Sequence, residues 1–459
     1  MRADVPADTE SPLLTRARAE TVFALIADAA RSLGIRDVEA LVGAGTSALT
    51  RFANNAIHQN VAERNSFVSV RLQVEGRTAR ASTNRVDDAS LRNVVEEAAA
   101  ITRLQQPDPD LLPLAEAGAI PAVARSFAAT ARLTPGDRAQ AVADAIAEVE
   151  AAGQTTAGIY SSGESVLALL NSRGVAAYHT ETMAHFSITA MARDSSGWAK
   201  AGSPYHGDFD PVALARSASR KAAQSADPIE LPPGRYNVIL EPAAVLDLVG
   251  QMFPDFSATA IRDGRSFLKD RVGARLFGGN ITIRDDVYHP LQAGAAFDGE
   301  GVPRRPLALV ENGYVREIPY SRQAARLGGA EPTGHGFPLP NEMGEAPVNI
   351  VIEGGTTPIE QLVASTERGI LVTRFWYIRE VDPYEKIMTG MTRDGTFLVE
   401  NGAITRGLRN FRFNQSLVEF LGSVEALSPA VRATGEESFD MVAPAMKARD
   451  FNFTEVTRF

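Results

Sequence analysis

The chain of 459 residues contains no cysteine. Disulfides, thiol nucleophiles, cysteine-ligated zinc and cysteine-held iron–sulfur clusters are therefore excluded. Lysine is nearly as scarce: Lys200, Lys221, Lys269, Lys386 and Lys447 are the only five, and arginine carries the remaining positive charge. None of the five follows a glycine, so there is no Walker-type phosphate loop. Histidine is limited to His58, His179, His185, His206, His289 and His335. No two of them stand four or five residues apart, the helical spacing that grips zinc. No Gly-x-Ser-x-Gly elbow occurs, which argues against an α/β-hydrolase serine. No apolar run approaches the ~20 residues of a membrane span. Met1 to Thr15 is polar and acidic without an apolar signal core, so the expectation is a cytoplasmic protein.

What is present is ordinary for a soluble globular protein, at 44% hydrophobic and 22% charged residues. Forty-six basic against 56 acidic residues give a net charge of −10. Nucleic-acid binding through phosphate contacts needs a basic face, and no Lys/Arg run supplies one. The length exceeds what one ordinary core accommodates, so two domains are expected.

Residues 1–13 form a loose tail by composition. Apolar and alanine positions recur at helical spacing from Leu14 to Leu33, and Gly34 then ends the helix. Alternation follows from Ala48, with Val68, Val70, Leu72 and Val74 on one face, a Glu75-Gly76 turn, and a return strand over Thr78–Ser82. A helix over Ala89–Leu104 stops at Pro107 and Pro109. Thr134-Pro135-Gly136-Asp137 opens the next helix, with Thr134 as cap and Pro135 in the first turn. A second meander over Gly158–Ala201 turns at Asn171-Ser172-Arg173-Gly174, and Asp210-Pro211 starts another helix. The two halves thus share one rhythm of helix and meander.

Three prolines and a glycine in residues 228–234 mark a linker. It separates an N-terminal domain (14–227), with helices packed on mixed or antiparallel sheets, from a β-rich C-terminal domain (235–459). In the latter, Thr357-Pro358-Ile359-Glu360 has the pattern of a capping box, with Gly369 closing its helix. Arg393-Asp394-Gly395-Thr396 and Glu400-Asn401-Gly402-Ala403 have the composition of turns between short strands. The fold class is α+β. Val431–Phe459 carries no reading of its own.

Residue chemistry alone identifies no reaction. His179 and His185, six apart on a strand, share a face but lack a third ligand. Asp285-Asp286 cannot be assigned acid–base work from spacing.

The string Arg51-Phe52-Ala53-Asn54-Asn55-Ala56-Ile57-His58-Gln59-Asn60 resembles the N-terminal signature of the TldD/TldE (PmbA) family. Asn171-Ser172-Arg173-Gly174, Arg235–Pro242, Phe297-Asp298-Gly299-Glu300-Gly301-Val302-Pro303 and Pro332-Thr333-Gly334-His335-Gly336 are similar to later family segments, in the same order. In the catalytic members of that family a His-Glu-x-x-x-His helix and a later cysteine hold zinc, and the glutamate activates water. The corresponding positions here are Gly250, Gln251 and Asp255. Neither histidine, nor the cysteine, nor the glutamate base is present, and Pro254 would end or kink the helix before Asp255 faces inward. The resemblance therefore implies a TldE/PmbA-like chain with no catalytic residue and no metal of its own. It implies a TldD-like metalloprotease partner that carries the zinc, with unfolded or flexible peptides as substrate.

For this chain the implied role is scaffold and peptide-holding surface. Arg51, Asn54, Asn55, His58, Gln59, Arg374 and Trp376 are the expected peptide-binding residues, and pairing with a sheet edge is the expected mode. Two other readings stand beside it. One is a self-sufficient hydrolase or peptide-tailoring enzyme recruiting His179, His185 or His335. The other is a direct DNA gyrase modulator. A homodimer of this chain is the alternative assembly where no partner is supplied, and the sequence does not choose between homodimer and heterodimer.

Overall fold

The computed structural model describes residues 11–457. The tail expected over residues 1–13 lies outside them for its first ten residues.

The first domain uses one unit twice: helix, three-stranded meander, helix. Helix Arg16–Ser32 leads to β1 (Asp37–Ala53), β2 (Ala56–Val74) and β3 (Arg77–Thr83), then helix Asp88–Leu104. Helix Pro135–Glu150 leads to β4 (Thr155–Asn171), β5 (Ala176–Met191) and β6 (Ser196–Ser203), then helix Pro211–Gln224. The six strands form one sheet in the order β3-β2-β1-β4-β5-β6, every pairing antiparallel. The units meet where β1 pairs with β4, so the sheet has an approximate twofold relation through its centre.

Local signals act as the sequence suggests. Thr134 and Asp137 form a reciprocal capping box with Pro135 in the first turn. Asp210 caps the helix that begins at Pro211. Asn54 and Asn55 take positive φ (49° and 59°) and close the two-residue turn between β1 and β2. The first strand, however, starts at Asp37 and not near Ala48. Val38–Gly43 is buried on both faces, with the charged Glu39 among its buried residues, so it shows no apolar–polar alternation.

One face of the sheet, carrying Val38, Ala40, Val42, Val68, Val70 and Leu72, packs on the first two helices. Each such Val or Leu contributes ~1.5–3 kcal/mol on burial. A one-residue slip would turn this whole set outward, and the register is fixed for that reason. The opposite face, with Glu39, Leu41, Phe67, His179, Glu181 and His185, looks toward the second domain.

That domain contains β7 (Gly234–Leu240), β8 (Ile283–Asp285), β9 (Leu307–Glu311), β10 (Tyr314–Val315) and β11 (Ile350–Ile352). β12 (Arg368–Asp382), β13 (Ile387–Glu400), β14 (Ala403–Gly407) and β15 (Phe411–Ser416) follow. The last are β16 (Val424–Leu427), β17 (Val431–Ala433), β18 (Met441–Ala443) and β19 (Met446–Val456). One sheet runs β10-β9-β8-β11-β18-β17; the other runs β12-β7-β19-β15-β13-β14. Because β12 also pairs with β13, five strands of the second sheet close into a ring. Phe375, Phe411, Phe413, Phe451 and Phe453 pack together in the domain core; Phe375 and Phe413 lie 4.8 Å apart. The terminal segment that was silent in sequence thus supplies three strands and part of this core.

Three local expectations are corrected. Arg393–Thr396 is not a turn: β13 runs through it, and Asp394 (φ 53°) with Gly395 (φ 129°) forms a bulge opposite β12. Thr357–Glu360 is not a capping box. The helix is Ile359–Ala364 with Pro358 at its cap and no side-chain cap bond, and Gly369 lies inside β12. Pro254 does not keep Asp255 out: the helix becomes a 3₁₀ turn over Gly250–Asp255, and Asp255 is buried. The segment 228–234 is held beside β14, since Ile229 exchanges backbone bonds with Gly407 and Arg409, and its last residue, Gly234, opens β7. No helix among the described residues is long and apolar enough to cross a membrane.

Candidate functional site

The inner face of the first sheet and the second domain enclose a cleft of about 580 Å³. Leu41, Phe67, Leu167 and Glu181 line it from the sheet; Arg304, Phe337, Phe439 and Asp440 line it from the second domain. Alternation on β5 puts His179, Glu181 and His185 on this side, and the structure engages all three. His179 Nε2 lies 3.5 Å from Glu181, whose carboxylate also accepts the Gly294 N–H at 2.9 Å. Burial pushes the Glu181 carboxyl up, but the bonds from His179 and Gly294 outweigh it and hold the group below its ordinary value. His185 Nε2 lies 3.2 Å from Asp440, which also receives Arg432 at 3.0 Å. The Glu181–Gly294 bond and the His185–Asp440 pair join the two domains.

His335 is sealed in the second domain. Its Nδ1 lies 2.9 Å from the Thr333 hydroxyl, and its Nε2 stands 3.2 Å from Asp285 without hydrogen-bond alignment. Asp285 is also held by the Val348 and Asn349 N–H groups. The arrangement has the order of a hydrolytic triad, but with His335 only 1% exposed it presents no nucleophile to a substrate.

Helix Pro242–Val249 and the 3₁₀ turn after it carry the positions of interest for a metal. Gly250 has no side chain, and a Cβ there would lie 2.1 Å from the Ser438 hydroxyl. The Gln251 amide donates to the Asp247 and Glu437 carbonyls. Asp255 is ion-paired with Lys386, which also reaches Glu380; burial still raises the Asp255 carboxyl above its ordinary value. One amide and one ion-paired acid do not make a zinc donor set. Among the described residues no group of three or more His, Asp or Glu could hold a metal ion. The residues present do not fit a zinc ion.

Sequence reasoning passed over Asp247, one turn earlier. It is fully buried, and its Oδ1 accepts the N–H groups of Glu436 (2.9 Å) and Glu437 (3.0 Å). Phe375 N–H approaches Oδ2 at 3.4 Å. Burial pushes this carboxyl up to about 6 despite those donors and the charge of Arg374. A signal existed: Asp247 is the lone charge in Ala243–Val249, an otherwise apolar stretch. Its partner, nearly 190 residues away, gave none.

The expected peptide-binding residues fall into two groups that share no hydrogen bond or ion pair. Arg51, His58 and Gln59 are exposed on the free end of the β1–β2 hairpin, where Arg51 reaches Gln59 at 3.4 Å. Asn54 forms its turn; Asn55 is engaged structurally, donating to the Gln154 carbonyl and accepting the Thr156 N–H. Arg374 is 6% exposed, paired with Asp394 and placed between the rings of Trp198 and Trp376. It joins the two domains, since Ser196 on β6 also bonds Asp394 at 2.6 Å. Trp376 lines a surface groove with Tyr377, Arg393 and Arg412.

Comparison with known proteins agrees with this architecture. The chain matches the PmbA/TldA metallopeptidase domain 1 over residues 38–102, the central domain over 123–226 and the C-terminal domain over 233–455. It belongs to the PmbA/TldA metallopeptidase family. Its fold is that of TldE from Thermococcus kodakarensis, with a TM-score of 0.87 at 19% identity, covering 94% of this chain and 99% of that one. A Methanothermobacter thermautotrophicus protein named metalloprotease is 24% identical over 316 residues, 64% of this chain and 67% of the relative. A metalloprotease TldD homolog of Buchnera aphidicola is 27% identical over 207 residues, 43% of this chain and 40% of the relative. The chain thus spans less than half the length of that second relative.

Proposed function

We propose that this chain is the non-catalytic, TldE-like subunit of a two-component metallopeptidase. Its partner is a TldD-like chain that holds the zinc and cleaves unfolded or flexible peptides. The observation that carries the reading is the chemistry at Gly250, Gln251 and Asp255. None is a free donor, and the space beside Gly250 is filled by Ser438. Hydrolytic power then has to come from another molecule.

The long first sheet supports a holding role. β3 pairs only with Val68–Val74, so the outer edge of β2 from Ala56 to Phe67 has no strand partner among the described residues. An open edge reads backbone and not side chains, which suits extended peptides of varied sequence or a partner's strand. Arg51, His58 and Gln59 stand beside that edge, and Trp376 offers a separate aromatic contact.

Coexpression with a TldD-like chain bearing His-Glu-x-x-x-His is the test. The expected result is a 1:1 complex whose peptidase activity disappears with chelator, while this chain alone is inactive. Failure of the two chains to associate would sink the pairing. Chelator-resistant hydrolysis by the isolated chain would instead favour a self-sufficient hydrolase.

A further inference from the structure

The segment Gly435–Asp440 connects β17 to β18 and crosses the helix end at Gly250–Gln251, where it is gripped like a bound peptide. Asp247 accepts two of its N–H groups, and Gln251 donates to the Glu437 carbonyl at 2.9 Å. Lys200 donates to the Gly435 carbonyl at 2.6 Å and to Glu436 at 3.1 Å. The Glu437 carboxylate accepts N–H groups from both Tyr377 (2.9 Å) and Ile378 (3.1 Å), with Arg379 at 3.7 Å.

That last contact rests on an unusual backbone. Tyr377 has φ of 56°, a left-handed conformation that an aromatic side chain rarely adopts, at a register break in β12. The break turns two successive N–H groups toward one point, a small anion-binding concavity. Two glycines permit the close approach. A Cβ at Gly435 would lie 2.3 Å from Asp247, and one at Gly250 would meet Ser438. Most of these contacts read main chain; Glu437 supplies the side chain that reaches the Tyr377–Ile378 bulge.

We propose that Asp247, Gln251 and the Tyr377–Ile378 bulge form a receptor for a bent, glutamate-bearing peptide segment, and that this chain's own Gly435–Asp440 is its resident, exchangeable ligand. The inference does not depend on a catalytic partner. It follows from the matching of donors and acceptors, and from a strained bulge whose two N–H groups bind the Glu437 carboxylate. Phe439 and Asp440 continue the strap into the 580 Å³ cleft, so its release would open the cleft toward the helix.

The test uses the full chain, its Glu437→Ala variant and the near-isosteric Glu437→Gln variant. Amide hydrogen exchange is followed at residues 434–441. Two synthetic peptides are titrated by calorimetry: one with the sequence Thr434–Met441, and one in which the Glu437 position is alanine. The expected result is at least tenfold faster exchange at the Glu436 and Glu437 amides in both variants. The variants should bind the glutamate peptide at least tenfold more tightly than the alanine peptide, while the native chain binds neither. Unchanged exchange would overturn the latch. Faster exchange without peptide binding, equal binding of the two peptides, or native-chain binding equal to that of the variants would overturn the receptor.

Discussion

Asp247→Asn gives a stability difference whose pH dependence has a fixed sign. The native carboxyl is raised from 3.8 to about 6, first by burial and against its backbone donors. A raised acid binds its proton more tightly in the folded chain than in the unfolded one. Its favourable contribution is therefore complete below pH 3.8 and is lost as pH rises to about 6. A gap of about two pH units at ~1.4 kcal/mol each corresponds to about 3 kcal/mol. At roughly 2.1 cal/mol/K of unfolding entropy per residue, that is about 3 °C in Tm for a chain of this length.

Asparagine cannot titrate, so Tm(native) minus Tm(Asp247→Asn) should be about 2.5 °C larger at pH 4, where most of that contribution is present, than at pH 7. Thermal melts of both chains across that range measure it. The charge-assisted part of the bonds from Glu436 and Glu437 is already contained in the raised value, and the pH-independent difference between a neutral carboxyl and an amide in those bonds cancels. So does Glu300, whose buried carboxyl is pushed up to about 7 in both chains. A flat difference would refute the burial argument. A difference growing with pH would mean that the N–H donors outweigh desolvation and hold Asp247 ionised.

Three further outcomes are expected. Gly250→Ala should cost ~1–3 kcal/mol through overpacking on Ser438, and Ser438→Gly should recover much of it in a double-mutant cycle; additive effects would place the strap elsewhere in solution. Glu39→Gln should cost ~3–5 kcal/mol in chemical denaturation, because Glu39 is fully buried and neutralises both Arg71 (2.8 Å) and Arg80 (2.7 Å); a loss below ~1 kcal/mol would contradict that geometry. Phe451→Ala should cost ~3–5 kcal/mol, since its ring stacks on Phe375 at 5.8 Å and touches Phe413, Phe420 and Phe453; an unchanged Tm would show that Phe451 is not part of the ring's core.

Several structural features were legible because their causes are local. Thr134 with Asp137, Asp210 with Pro211, and Asn54-Asn55 each specify a cap or turn through bonds within a few residues. The helix and meander rhythm was visible for the same reason. Arg393–Thr396 misled because a bulge and a turn use the same residues, Asp and Gly, for the same left-handed φ. Only a partner strand distinguishes them. Arg374 looked available to a peptide because nothing near it in sequence announces Asp394 or Trp198.

By itself, the sequence settled what this protein lacks: thiols, helix-spaced histidines and a Lys/Arg run, each a property of residue identity and order that folding cannot supply. It also carried the family, through ordered motifs along most of the chain. Tertiary structure decided what fills the place of the missing chemistry. Asp247 and Glu437 stand 190 positions apart, and only the folded second domain, with the β17–β18 strap crossing the helix end, brings a buried carboxylate to a backbone that no local pattern pairs with it.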